Sequence, residues 1–408
     1  MVESCDVVIV GAGQAGLSLS NELSRSNREH IVLERGTVGQ SWRNRWDGFC
    51  LVLPNWTVHL SGQPYAGADP DGFMARDEIV DYLSDYATSF RSPIRENVSV
   101  ESLDREDDGC FRLRTSTGDI RAREVVLATG GYQKPYRPAG VRELPSSLQV
   151  IDAPGYSNPG ALPPGKVLVI GSGQTGCQIA EEIHQAGREV VLACGRAPWQ
   201  PRRVGDHDVI FWFIGTPFMD MTLADLPSPM ARLGANPQTT GRDGGHDLHY
   251  RTLQAMGVTL TGHLVGSEDG QAHFASDLAD SVAFGDARYN DIRDLVRRSA
   301  ADKGLPAPEM PPAPSFVADA PGSVDLADFG AAIFTTGFRP DYASWVRLPE
   351  AFDGMGFPIQ RDGSSTVIPG LHFMGVHFQR KRSSATLFGV GEDAGVLGKH
   401  MAAQPRLA

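Results

Sequence analysis

The chain opens on an apolar run, CDVVIV (5–10), of the kind found in strands buried on both faces of a parallel sheet. The run breaks into GAGQAG (11–16). The stretch that follows sets Ala15, Leu19 and Leu23 at helical spacing, and HIVLER (30–35) is apolar again. Strand, glycine turn, helix and strand make a βαβ unit of about 30 residues. The same order returns in KVLVIGSGQTGCQIAEEIHQAGREVVLACGR (166–196), the one internal repeat detected. Between the two units, residues 36–75 lose periodicity and predict loops and short helices. RDEIVDYLSDYATSF (76–90) predicts a helix capped by Asp77, with Ile79, Val80, Leu83 and Tyr86 or Ala87 as its apolar stripe. Residues 96–131 predict a β-meander returning to the buried strand EVVLATG, and 135–165 a Pro- and Gly-rich connection. Beyond the repeat, a helix is predicted over 286–304, a proline-rich linker over 305–322, strands over 329–340 and 370–378, and a closing helix over 389–402.

A length of 408 residues implies two or three domains, and 41% apolar with 21% charged residues is globular. The 37 Lys and Arg against 49 Asp and Glu leave a charge of −12, which argues against nucleic-acid or membrane-surface partners. No apolar stretch is long enough to span a bilayer, and no basic segment precedes the first apolar run, so the expected location is cytoplasmic. Cys5, Cys50, Cys110, Cys177 and Cys194 are scattered, with no CxxC or CxxxxC, and read as reduced thiols. The missing dithiol excludes a disulfide reductase, which shares the two-dinucleotide plan.

Each glycine turn follows a buried strand and opens a helix, the context in which GxGxxG cradles a pyrophosphate. Gly11 and Gly171 make the tight turns, Gly13 and Gly173 let phosphate approach the backbone, and Gly16 and Gly176 let helix and strand pack. The helix N-terminus adds free N–H groups and partial positive charge. In the first unit Glu34 ends the second strand, about 20 residues on, where a carboxylate suits a ribose diol. In the second unit that place ends in Arg196, followed by Arg202 and Arg203, and arginine favours a 2′-phosphate. The alternative for Arg196 is a surface ion pair. The expected cofactors are FAD at the first turn and NADPH at the second, with hydride passing between them.

Further stretches resemble the class B flavin-dependent monooxygenases, which include the flavin-containing and indole-pyruvate monooxygenases. GQSW (39–42), WDGFCLVLPNW (46–56), VVLATGGYQKP (125–135), IFTTGFRPD (333–341) and the closing segment 369–397 carry the resemblance, which spans nearly the whole chain. The closing segment is most similar to bacterial flavoproteins labelled as involved in potassium transport. The resemblance implies an α/β fold of two Rossmann-like three-layer domains: an FAD domain from 1–160 and 325–408, with an NADPH domain, 161–324, inserted in it. It adds Arg35, Gly39, Gln40, Trp42, Val98, Thr129, Gly130, Phe388 and Gly389 to the FAD site. To the NADPH site it adds Ser172, Gln174, Thr175, Thr336 and Gly337.

It also implies that NADPH reduces FAD, that O2 adds at flavin C4a, and that the hydroperoxide oxygenates a small substrate: nitrogen, sulfur, a ketone or a 2-oxo acid. Asn55 is the catalytic candidate, its amide directed at flavin, peroxide or NADP ribose; a turn-forming Asn after Pro54 is the alternative. Arg339, Arg380 and Arg382 are candidates for an anion, with surface roles as the alternative. His372 and His377 read as a packed strand, and Trp42, Trp46 and Trp56 as flavin walls or core. One departure stands out: the family's FxGxxxHxxx(F/Y/W) segment keeps Tyr156 but has Asp152 in place of the His. That leaves open a flavoprotein reductase that passes electrons to another acceptor without inserting oxygen. A redox sensor that keeps the nucleotide sites without catalysis is a further alternative. A homodimer is also left open.

Overall fold

The structure, a computed structural model, describes residues 2–138 and 144–404. In chain order its principal elements are β1 (Glu3–Val10), α1 (Gln14–Arg25), β2 (His30–Leu33), α2 (Arg76–Ser89), β3 (Ile94–Arg95), β4 (Val100–Arg105), β5 (Phe111–Thr115), β6 (Gly118–Leu127), β7 (Gln149–Asp152), β8 (Lys166–Ile170), α3 (Gln174–Gln185), β9 (Val190–Ala193), β10 (Thr259–Thr261), α4 (Leu278–Asp302), β11 (Phe329–Phe334), β12 (Leu371–Phe373) and α5 (Val390–Ala402).

Two parallel sheets dominate. In the first, the order is β12, β6, β1, β2, β3, with the β4–β5 meander paired antiparallel to β6. β1 lies between β2 and β6, so Cys5–Val10 is buried on both faces, as its unbroken apolar run requires. α1 and α5 pack on this sheet side by side. The second sheet has the order β7, β11, β8, β9, β10, and α3 covers one face with Cys177, Ile179 and Ile183. A small antiparallel sheet (Leu264–Glu268, Gln271–Phe274, Ser323–Asp325) covers the other face.

The chain division expected at 160 and 324 cuts through this second sheet. β7 and β11 lie outside those bounds, yet both belong to it, with Asp152 and Ile170 each opposite Phe334. The reason is burial: FGAAIF is apolar at every position and buried throughout, so it needs a strand on each side. The chain crosses between the sheets twice, and the crossings are stitched together: Lys134–Pro135 pairs antiparallel with Phe338–Arg339. Tyr136 N–H donates to Gly337 O at 2.9 Å, and Thr336 Oγ1 donates to Tyr136 O.

Two local expectations need correction. α2 is capped by Glu78, whose Oε2 accepts from Ala75 N–H at 2.8 Å, while Asp77 instead pairs with Arg76. α4 begins at Leu278, eight residues before the predicted start; its extra turns bury Leu278, Ser281, Val282 and Gly285. The proline-rich 305–322 forms no helix or strand.

Candidate active site

The first glycine turn is built as a cradle. Gly11 has φ +112°, and a Cβ there would lie 2.6 Å from Ala128 O; at Gly16 it would lie 2.0 Å from Gly11 O. A Cβ on Gly13 would meet nothing within 4 Å. Two glycines therefore close the turn on the protein, and the third leaves an open face at the N-terminus of the 12-residue α1. Glu34 is buried at the end of β2. Its Oε2 accepts from Ala12 N–H at 2.9 Å and its Oε1 from Gly36 N–H at 3.0 Å, so the carboxylate is fixed against the turn with a lone pair spare on each oxygen. Val98 N–H donates to Glu34 O at 2.9 Å, and Arg35 stands exposed beside it.

The GQSW segment folds back over this turn. Gly39, at φ +71°, donates its N–H to Ala12 O at 3.0 Å, and Gln40 accepts from Thr37 N–H at 3.0 Å. Trp42 Nε1 donates to Gln14 Oε1 at 2.9 Å, while Gln14 Nε2 reaches Ala385 O at 3.3 Å. Sequence motifs point to neither Gln14 nor Ala385: the glutamine sits inside GAGQAG, where the glycines alone carry the signal. Gln133 Nε2 ties down Thr129 Oγ1 (3.0 Å) and Gly130 O (2.9 Å). Gly389 precedes α5 where a Cβ would lie 2.2 Å from Ser383 O, and Phe388, like Leu53 and Trp56, packs against the apolar cluster that includes Val209, Trp212 and Phe213. These residues fit FAD: an open glycine face on a helix N-terminus, a buried carboxylate beyond it, and loops closing over both.

The second turn repeats the design. Gly171 (φ +100°) would place a Cβ 3.0 Å from Thr335, and Gly176 1.9 Å from Gly171 O, while at Gly173 the nearest atom is Ala235 Cβ at 3.8 Å. Ser172 Oγ accepts from Gly195 N–H at 2.9 Å and bonds the Tyr250 hydroxyl, and Gln174 Nε2 donates to Pro237 O at 2.7 Å. Those two side chains stiffen the turn from within. Thr175 is half-buried beside them. Arg196 and Arg203 are exposed and form no ion pair with any described residue. Both remain available to a phosphate, so the residues fit NADPH.

Arg202 does not share that role. It is buried, bonded to Asp208 at 2.6 Å and to Val52 O at 2.9 Å, with its guanidinium 4.9 Å from the Phe73 ring. It pins the second half of the molecule to the 50–73 loops of the first.

Asn55 is buried and clips a loop: Nδ2 donates to Asp69 O at 2.9 Å and Oδ1 accepts from Met74 N–H at 2.7 Å. This is the turn role given above as the alternative, and it leaves one amide hydrogen and one lone pair unspent. Asp152 pairs with Arg137 at 2.8 Å. Trp46 is buried against Phe49, ring edge to face at 5.0 Å, and Trp42 lies 5.8 Å from the same ring. His372 is buried between Glu124 (3.1 Å) and Ser364 (3.1 Å), beside the Arg28–Asp6–Glu124 ion cluster, and holds β12 in place. Arg380 is consumed by Asp362, Glu392 and Asp393, and Arg339 lies 3.8 Å over Tyr136.

Where α3 meets the 46–50 loop, Tyr156 hydroxyl donates to Glu182 Oε2 at 3.1 Å, and Glu181 holds His246 at 2.6 Å. Burial raises the Glu182 carboxyl above its ordinary value, and the Glu181 bond raises His246. All five cysteines are free. Burial pushes the Cys50 thiol to about 11, which keeps that side chain a thiol near neutral pH. A cavity of about 480 Å³ lies along the seam between residues 215–220 and 381–392, lined by His59, Met219, Lys381, Phe388 and Gly389 among others. Among the described residues there is no group of three or more potential metal ligands, and no helix is long and apolar enough to cross a membrane.

Residues 8–209 match the profile of the family described as pyridine nucleotide-disulphide oxidoreductase. The chain is 32% identical to an uncharacterized CzcO-like oxidoreductase of Geobacillus kaustophilus, covering 95% of this chain and 96% of that one. It is 28% identical over 44% of each chain to a probable indole-3-pyruvate monooxygenase of Arabidopsis thaliana, YUCCA3. In three dimensions it is similar to the flavin-containing monooxygenase of Stenotrophomonas maltophilia, with a TM-score of 0.68 at 20% identity over 98% and 99% of the two chains.

Proposed function

Because this chain belongs to the CzcO-like oxidoreductases, within the FAD- and NADPH-dependent class B flavin monooxygenases, we propose that it uses NADPH and O2 to oxygenate a small organic molecule. The observation that carries the reading is the pair of glycine cradles, one ending in buried Glu34 and the other in exposed Arg196, which forms no ion pair with any described residue. Bound FAD supplies hydride acceptance and oxygen activation. The chain's own residues bind, orient and keep dry. The Gly13 face and α1 receive one pyrophosphate, Glu34 the ribose, and the Gln14–Trp42 bond holds the covering loop. Gly173 and α3 receive the second pyrophosphate, with Arg196 and Arg203 reserved for the 2′-phosphate. The unspent amide hydrogen of Asn55 is directed to the flavin edge. The substrate atom is a soft nitrogen or sulfur, or a carbonyl carbon.

The test is anaerobic reduction of the yellow holoenzyme by NADPH and NADH in parallel, then mixing with oxygenated buffer under a diode-array detector. NADPH-selective bleaching followed by a long-lived near-ultraviolet intermediate is the expected result. Direct return of oxidised flavin with stoichiometric peroxide would instead favour a reductase or oxidase.

A further inference from the structure

Most cations of the seam have a countercharge: Lys381 binds Asp220 (3.0 Å) and Glu392 (2.6 Å), and Arg380 binds three carboxylates. Three arginines with a buried Nε have none among the described residues: Arg45, which lies over the Phe49 and Tyr132 rings, and Arg232 and Arg382, which converge on one dipeptide. Arg232 comes from the second half of the molecule, within Pro229–Leu233. It is 8% exposed, its Nη2 donates to His377 O at 2.7 Å, and its guanidinium lies 3.5 Å over the Phe357 ring. Its Nε is buried with no partner. Asp353, the carboxylate that influences it, forms no bond with it. Arg382 comes from the first half. Its guanidinium lies 4.3 Å from Phe218 and 5.3 Å from Phe378, its Nη2 lies 3.4 Å from Met221 Sδ, and its Nε too is buried without a partner among the described residues.

The two guanidiniums thus approach one dipeptide, His377–Phe378, one through the His377 carbonyl and one through the Phe378 ring. Phe378 itself is held at φ +56°, a left-handed conformation rare for an aromatic residue and typical of ligand clamps. Burying the Arg232 guanidinium without a counterion is costly, and arginine is almost never buried unpaired; Arg382 is partly buried, with its Nε enclosed. Aromatic faces repay a fraction of that cost. The uncompensated remainder calls for an oxyanion, for which the guanidinium fork is built.

We propose that Arg232 and Arg382 form an oxyanion clamp across the seam, one arm from each half of the molecule, that receives a carboxylate or phosphate of a ligand of the flavin site. Two ligands carry that chemistry. One is a carboxylate-bearing substrate, which rests on the oxygenase reading above. The other is the nicotinamide dinucleotide, because Pro237, five residues beyond Arg232, accepts from Gln174 Nε2 of the second glycine turn at 2.7 Å.

The test is equilibrium binding to oxidised holoenzyme, read from the flavin spectrum, so turnover and oxygen insertion do not enter. The probes are NADPH, (methylthio)acetate and its methyl ester; the proteins are wild type, Arg232→Gln and Arg382→Gln, with Arg232→Lys retaining charge. Arg382 is half-exposed, so its variant tests the clamp even where Arg232→Gln fails to fold. If the clamp takes substrate, the acid binds and the ester does not, and each Gln variant weakens the acid about tenfold or more. If it takes the dinucleotide, the same loss falls on NADPH. Unchanged affinity for both probes in a folded, FAD-replete Arg382→Gln protein would overturn the proposal.

Discussion

Trp42 donates its indole N–H to Gln14 Oε1 at 2.9 Å, joining the GQSW segment to the helix that opens at the first glycine turn. Gln14 in turn holds the carbonyl of Ala385, so one amide bridges three segments far apart in the chain. Trp42→Phe keeps the ring and removes the donor. We expect FAD to bind about three- to tenfold more weakly, the worth of one hydrogen bond. Gln14→Leu should cost as much, and the double variant little more than either alone. Additive losses on FAD titration would show that the bond does not hold the site.

The two glycines of the first turn separate folding from binding. Gly16→Ala puts a Cβ 2.0 Å from Gly11 O, and backbone cannot yield there; destabilisation on the order of 3 kcal/mol or more is expected. Gly13→Ala meets no protein atom within 4 Å, so the chain should fold normally yet purify with little FAD. Full flavin content in folded Gly13→Ala protein would place the pyrophosphate elsewhere.

Cofactor preference should reside in Arg196. Arg196→Gln is expected to weaken NADPH by about tenfold or more while changing NADH by less than about twofold. Arg202→Met should leave that preference alone and lower the melting temperature, since it strips Asp208 of its buried partner. Anaerobic reduction rates at varied nucleotide concentration decide the first claim and thermal melts the second.

Glu182 gives a pH signature of stability. Burial is the main cause of its raised carboxyl; Tyr156 and Arg242 pull it back down and Asp47 pushes it up. The folded protein therefore binds a proton that the unfolded chain releases, and stability falls as pH rises from the ordinary glutamate range through the native value. The nearby His246, also raised, acts in the same direction. Glu182→Gln should flatten the dependence and gain stability at the upper end, on the order of 1 kcal/mol, the worth of a tenfold change in proton affinity. Urea midpoints measured from about pH 5 to 8 would disprove this if wild type and variant ran parallel.

Both βαβ units were legible because each combines a doubly buried apolar strand with a glycine turn, two local signals that agree. The family resemblance added Gly39, Trp42 and Val98, which do surround the first turn. What stayed hidden was set by tertiary context. Nothing local in FGAAIF says which sheet takes it; the register of Ile170 and Asp152 against Phe334 decides. Arg202 and Arg203 are adjacent and chemically alike, yet side-chain alternation on entering a two-residue strand buries the first and exposes the second. Arg232 lies in a stretch without periodicity, and only the fold reveals that it is buried without a carboxylate.

The ribbon in which Lys134–Pro135 runs beside Phe338–Arg339 has a genetic consequence. Entry to and exit from the second half of the molecule are neighbours in space, so everything between them behaves as a removable cassette. Joining residue 135 to 338 through a short turn would ask no strand of the first sheet to move. A dinucleotide module could therefore be exchanged for that of a relative with the opposite cofactor preference at two sutures, provided the incoming module keeps the Arg202 contacts to Val52 and Phe73.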